Sequence, residues 1–311
     1  MTFNLETINR HAFENPEEFA QECEALFCER VKEAAKMLSE RMALSRVAFL
    51  SGPSGSGKTT TAKRICTELE THGILGHTFS LDNYYRTPHP ETVPRTEDGG
   101  YDHESPYCLD LELLNKHSCK LNRSEEIVVP HFSFKLQARD PNKERAMTLG
   151  PDEMVIFEGI HALNDMITEN HPEAFKIFVS PQSEVKKDGE HLFGGMWMRF
   201  MRRVVRDGNF RGTDARETLG MWTNVQLGEK KYILPFSHKA DLMFDSSMPY
   251  EIPVMKRFAL KAFEGIPDIA EGFNELRGLL PALMEFEEID PAVVPNNSIL
   301  REFIGGGVYK Y

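Results

Sequence analysis

Residues 49–65 read FLSGPSGSGKTTTAKRI, and no other part of the chain restricts its fold so strongly. An apolar run stops at a turn of glycine, serine and proline, and Lys-Thr-Thr follows. Gly52, Pro53, Ser54, Gly55, Ser56, Gly57, Lys58 and Thr59 fit the pattern G-x-x-x-x-G-K-[ST] without a gap, and Thr60 follows directly; all but Pro53 are candidate ATP-binding residues. Such a match carries weight only between a strand and a helix. RVAFLS (residues 46–51) has the composition of a buried strand, and KTTTAKRICTELE continues as a helix. Loop amides and the helix N-terminus then converge on one point, which makes an anion cradle. Lys58 is expected to bridge the outer phosphates of a triphosphate, and the Thr59 hydroxyl to face Mg2+.

From residue 46 to about 250, short apolar runs alternate with helical patterns. HTFSLD, EMVIFEG, FKIFVS and ADLMFDS join RVAFLS as buried strands. This alternation predicts an α/β fold, a doubly wound parallel sheet around the phosphate loop with helical additions at both ends. Residues 1–45 form the first addition, a packing appendage whose helix has Phe19, Cys23, Leu26, Phe27, Val31, Ala34 and Leu38 at helical spacing. Residues 46–250 are the core, including an insertion at 83–152, where EEIVVPHFSF reads as a further strand or hairpin, and an Arg-rich lid at 194–220. Residues 251–311 are a second helical extension ending in VPNNSILREFIGGGVYKY.

At 311 residues with 41% hydrophobic content the chain can bury a large core. Its net charge of -12 repels a polyanion, so nucleic acid and acidic membrane surfaces are not expected partners. No run approaches the roughly eighteen apolar residues of a membrane span, and MTFNLETINRHAF lacks the features of a signal peptide, so a cytoplasmic location is expected. Five cysteines without a C-x-x-C pair read as reduced thiols.

Against that acidic background, residues 199–216 hold Arg199, Arg202, Arg203, Arg206, Arg211 and Arg216. The first four are spaced i, i+3, i+4, i+7, which places them on one helix face. A solvated face paired with Asp207, Asp214 and Glu217 is the competing reading. Ligands of an open parallel sheet sit beyond the carboxyl ends of its strands. Asp82 ends the second run and Glu158 the third, so two carboxylates should flank the loop. One can serve a divalent cation, and the other can orient an acceptor hydroxyl and take its proton. His161, just past Glu158, reads as a helix-start hydrogen-bonding residue.

Three classes of phosphate-loop protein compete. A GTPase needs an N-K-x-D reader, and NKHS at Asn115 lacks the Asp; a motor ATPase carries an acidic pair where Glu158 is followed by Gly159. A small-molecule kinase needs an acid after the second strand, an acceptor site and a cationic lid, and each has a candidate. The segments GPSGSGKTT, SLDNYYR, GGYDHESPYCLD, VIFEGIHAL, RRVVRDGNFRG and ADLMFDS, in that order, resemble those of the uridine kinase and phosphoribulokinase family. The tail is similar to that of its bacterial uridine kinase-like branch.

The resemblance implies ATP as donor, Mg2+ as cofactor and a small-molecule acceptor, with the 5'-hydroxyl of uridine or cytidine expected. It implies Asp82 as general base, Lys58 and Arg206 as catalytic cations, and Thr59 and Glu158 at the metal. Arg206 and Arg211 match the lid arginines around ATP, Arg203 a contact to the acceptor, and Asp102 the acid on the ribose hydroxyls. In HFSFKLQAR, Phe132 and Phe134 can stack a base, while Gln137 stands near where the family has His and Met221 where a Gln reads the base edge. Another sugar-like or pantothenate-like alcohol, or a non-kinase nucleotide-dependent regulator, remains an alternative, and a homo-oligomer is left open.

Overall fold

Val47, Ala48, Phe49 and Leu50 are all buried, which requires cover on both faces of the strand they form. The computed structural model describes residues 2–96, 99–264, 266 and 277–309. It contains five parallel strands, β1 (Val47–Ser51), β2 (Leu75–Ser80), β3 (Glu153–Glu158), β4 (Phe175–Ser180) and β5 (Leu242–Asp245). Their spatial order is β5-β4-β1-β3-β2. The chain leaves β1 for one edge and later crosses to the other, so the expected doubly wound sheet is present. Side chains alternate between the faces: Ala48, Leu50, Ile156 and Val179 join one core, and Val47, Phe49, Phe157 and Phe178 the other.

The first core is covered by α1 (Pro16–Arg41), α2 (Lys58–Leu69), α3 (Gly195–Phe210), α4 (Ala215–Tyr232) and α5 (Glu251–Ala262). The second lies under the insertion, chiefly its helix Leu111–Asn122. The segment EEIVVPHFSF opens two small antiparallel ribbons, Ile127–Val129 with Arg145–Met147 and Phe132–Ser133 with Ala138–Arg139. All five cysteines are free thiols. Among the described residues no helix is long and apolar enough to cross a membrane.

The N-terminal residues do more than decorate the core. Phe19, Cys23, Phe27, Val31, Ala34 and Leu38 of α1 are buried at helical spacing, whereas Leu26 faces solvent. Glu24 of α1 pairs with Arg64 of α2 at 3.0 Å, both buried, and accepts a hydrogen bond from the Tyr250 hydroxyl at 2.8 Å. Tyr250 in turn lies 3.3 Å from the Ser298 hydroxyl at the start of the C-terminal segment. Thr2–Asn4 adds a parallel strand beside Glu184–Lys187, which turns back into Glu190–Phe193; the sequence pattern gave no signal for this small sheet. Residues 265, 267–276, 310 and 311 of the second helical extension lie outside the described residues.

Phe27 is fully buried and its ring lies 4.6 Å under the Arg64 guanidinium on the phosphate-loop helix. Phe27→Ala should therefore lower unfolding stability by about 3 to 5 kcal/mol in urea titrations, as for a large core deletion. A loss below about 1 kcal/mol would mean that α1 is dispensable packing.

Candidate active site

The loop between β1 and α2 is shaped by what holds its carbonyls. Gly57, the residue before α2, has φ 82°, and Gly55 has φ 75° with its Cα too close to the Arg199 carbonyl for a side chain. Arg199 donates to the Ser54 carbonyl at 3.2 Å, and Arg202 to those of Gly55 and Ser56 at 3.3 Å each. Arg199 and Arg202 thus fix three successive loop carbonyls, those of Ser54, Gly55 and Ser56, from the α3 side. Both arginines are themselves held by bidentate carboxylates, Arg199 by Glu229 (2.6 and 2.9 Å) and Arg202 by Glu251 (2.6 and 2.7 Å). The arginine face of α3 is thus built into the protein rather than solvated.

Arg203, Arg206 and Arg211 share one carboxylate. Asp207 is buried, and it lies 3.3 Å from Arg203, 2.8 Å from Arg206 and 3.6 Å from Arg211. All three arginines border a cavity of about 1000 Å3 that also takes in Lys58, Thr59, Asp82 and Glu158. Arg203 additionally donates to the Ser54 hydroxyl at 2.9 Å. Arg216 is exposed on the first turn of α4, outside the cavity wall. Asp207 was visible in the sequence only as a helix-surface counterion; its burial under three cations comes from the packing of α3.

Sheet register brings the acids together. Glu158 pairs with Leu50 on β1 and with Ser80 on β2, so it lies between the loop and the turn carrying Asp82. Thr59 donates its hydroxyl to Glu158 at 3.2 Å, and Lys58 donates to the Pro53 carbonyl at 3.2 Å. Burial pushes the Glu158 carboxyl up to about 7, against the pull of Lys58. Asp82 opens into the cavity but is walled by protein, and this raises its carboxyl too, with Lys58, Arg211 and Arg206 drawing it back. Burial lowers the Lys58 ammonium, opposed first by Glu158. The Thr59 hydroxyl and the Glu158 carboxylate are hard oxygens beside an anion cradle, a donor set that fits Mg2+ completed by phosphate oxygens and water. Among the described residues no group of three His, Cys, Asp or Glu side chains could hold a metal on its own.

Aromatic rings form another part of the wall. Tyr85, Phe132 and Phe134 border the cavity with centroids 5.2 to 5.9 Å apart. Gln137 is also on the wall, at φ 50°, with its amide on the Phe134 carbonyl at 2.7 Å. Two anticipated residues are not on it. Asp102 is buried behind the wall and accepts a hydrogen bond from the Tyr232 hydroxyl at 2.7 Å, and Met221 faces away, its helix lining the cavity with Val225 and Glu229 instead. Glu104, two residues after Asp102, is on the wall, and burial pushes its carboxyl up to about 7. His161 lies edge-on to Tyr232, 6.3 Å between centroids, and burial holds it neutral, down to about 4.

A family model described as Phosphoribulokinase / Uridine kinase family matches residues 47–252. A uridine kinase of Staphylococcus haemolyticus is 26% identical over 203 residues, 65% of this chain and 88% of that one. A uridine kinase of Clostridium tetani is 28% identical over 195 residues, 62% of this chain and 83% of that one. Among solved structures, a D-glycerate 3-kinase from Cryptococcus neoformans superposes with a TM-score of 0.46 at 17% identity, covering 67% of this chain and 89% of that one.

The raised carboxyl of Glu104 has a consequence for unliganded stability. Between about pH 4.5 and 7 the folded chain holds this proton more tightly than the unfolded chain, so stability falls as pH rises through that window. Glu104→Gln, neutral throughout, should raise the melting temperature by roughly 2 °C or more at pH 8 and by less than about 1 °C at pH 5. An equal change at both pH values would show that Glu104 titrates normally.

Proposed function

This chain belongs to the phosphoribulokinase / uridine kinase family and is an ATP-dependent phosphotransferase with an alcohol acceptor, and on that premise we propose that the acceptor is the 5'-hydroxyl of uridine or cytidine. The observation that carries this reading is the aromatic group Tyr85, Phe132 and Phe134, placed on the same cavity as Asp82 and the phosphate loop. Three rings offer a flat base a stacking surface, while Asp82 is left free to meet a hydroxyl. An acceptor without a ring would leave that apolar wall unused.

In this reading Asp82 orients the acceptor hydroxyl and takes its proton as the oxygen bonds to the γ-phosphorus and the bond to ADP breaks. The elevated carboxyl makes Asp82 a stronger base than one in water. Lys58, Arg206 and Arg211 meet the charge that spreads over the transferring phosphoryl group, and because Asp207 already fixes the arginines little reorganisation is needed. Thr59 and Glu158 would hold Mg2+, which supplies charge neutralisation on the phosphate oxygens. Arg203 borders the same cavity, and in this reading it contacts the acceptor.

Asp82→Asn should lower kcat by about 100-fold or more while ATP affinity stays within a few-fold. Loss of nucleotide binding in that variant would assign Asp82 to the metal instead.

The substrate is tested by a panel with labelled ATP: uridine, cytidine, their deoxy forms, glycerate, pantothenate and sugar phosphates. Phosphorylated pyrimidine nucleoside is expected, with uridine and cytidine within about 10-fold of each other, because the base-reading positions carry few fixed polar partners. Turnover of a non-nucleoside alcohol alone would replace the substrate, and acceptor-independent hydrolysis would favour a nucleotide-dependent regulator.

A further inference from the structure

The cavity has a wall that neither the phosphate chemistry nor the aromatic group accounts for. Arg301, Glu302, Gly305, Gly306, Gly307 and Tyr309 of the C-terminal segment border it. The segment is anchored on both sides of this wall. Ile299, Leu300 and Phe303 are fully buried, Ile299 seats on Gly57 of the loop, and the Phe303 carbonyl accepts from Asn209 of the lid helix at 3.0 Å. Arg301 ties the turn together, donating to the carbonyls of Pro291 and Gly305 at 3.2 Å each.

Its meeting point with the loop fixes what it faces. Glu302 Oε2 accepts from the Thr60 hydroxyl at 2.5 Å and the Thr60 N–H at 3.3 Å, one residue past the Thr59 hydroxyl that bonds to Glu158. The transferring phosphate belongs among Lys58, Asp82 and Arg206, and the acceptor lies beyond it against the rings. The remainder of a nucleoside triphosphate must therefore leave the loop along another part of the wall. The C-terminal segment offers suitable chemistry there. Gly305 and Gly306 have φ 85° and 75°, a left-handed turn that packs against the Phe210 ring and the Arg301 guanidinium and still borders the cavity with its backbone. Tyr309 stands beside it with the Lys63 ammonium 5.9 Å from its ring, and among the described residues no hydrogen bond engages Glu302 Oε1.

We propose that residues 301–309 form the nucleoside-side wall of the donor site, with the purine on the Gly305–Gly307 turn beside Tyr309 and Glu302 Oε1 accepting a hydrogen from the nucleoside. This rests on the reading of the loop as the donor's phosphate cradle, and it is independent of the acceptor's identity. Glu302 then has two roles: one oxygen fixes the first turn of α2, and the other favours donors that present a ribose hydroxyl or an exocyclic amine there.

The test compares two probes on the full chain by calorimetry with Mg2+ present: ADP, which would engage loop and wall, and inorganic pyrophosphate, which would engage the loop alone. Wild-type protein should bind ADP at least about 10-fold more tightly than pyrophosphate. Tyr309→Ala and Gly306→Val should each weaken ADP by about 10-fold and leave pyrophosphate within about 2-fold; Glu302→Gln should weaken ADP by about 3-fold or more with the same pyrophosphate result. Gly306→Val strains a left-handed turn, so the partly exposed Tyr309 and the isosteric Glu302→Gln keep the test valid if that variant fails to fold. Unchanged ADP binding in Tyr309→Ala and Glu302→Gln would overturn the proposal. So would a wild-type chain that binds both probes alike. Tighter binding of both probes to Glu302→Gln would also overturn it, since the carboxylate would then be a plug over the anion site. No readout involves phosphorylated product, so a wrong acceptor leaves these outcomes intact.

Discussion

The structure depends on Arg202. Its guanidinium is inaccessible to solvent, pairs bidentately with the equally buried Glu251, and donates to the carbonyls of Gly55, Ser56 and Ser246. One side chain therefore joins the phosphate loop, helix α3, the end of β5 and the start of α5. A buried pair of this kind is weak evidence for net stability, but removing one partner strands the other charge and typically costs about 3 to 5 kcal/mol. Its value here is geometric. Two of the loop's carbonyls are held by Arg202 and a third by Arg199, so the path of the loop backbone is set by the protein's own side chains.

The same economy runs through the other arginines of this region. Asp207 gathers three arginines whose mutual repulsion would otherwise spread them, and Glu229 fixes Arg199 against Ser54. Opposite them, Glu158, Asp82 and Glu104 are carboxylates that burial makes reluctant to ionise. A cluster of raised acids faces fixed cations across one cavity, so an added charge of either sign would relieve the penalty on groups of the other.

The terminal segments belong to this arrangement. A hydrogen-bonded path leads from Arg64 on the phosphate-loop helix through Glu24 and Tyr250 to Ser298, and from there the chain carries Glu302 back to Thr60. Both ends of the path touch the same helix, α2. Helix α1 supplies the buried acid in the middle, so the segment outside the alternating core helps decide where the C-terminal wall lies.

The sequence alone determined the parallel sheet, its five strands, the phosphate loop and the placement of Lys58, Thr59, Asp82 and Glu158 near one another. These are consequences of local pattern: alternation of short apolar runs with helices, and acids at strand ends that the sheet must bring to one edge. It also placed Phe132, Phe134 and Gln137 on one stretch, and the fold added Tyr85 to them by packing the β2 turn against the ribbon. Tertiary structure alone decided which arginines of α3 brace the loop and which border the cavity, because a shared helix face does not say what lies opposite it. It turned Asp102 toward Tyr232 and put Glu104 on the wall, a choice between neighbours made by the Tyr232 hydroxyl on another helix. It joined Glu302 to Thr60 across 242 residues of chain, a contact between two side chains that no local spacing encodes. Spacing along the chain records which groups share a face, and only the packing of distant elements supplies their partners.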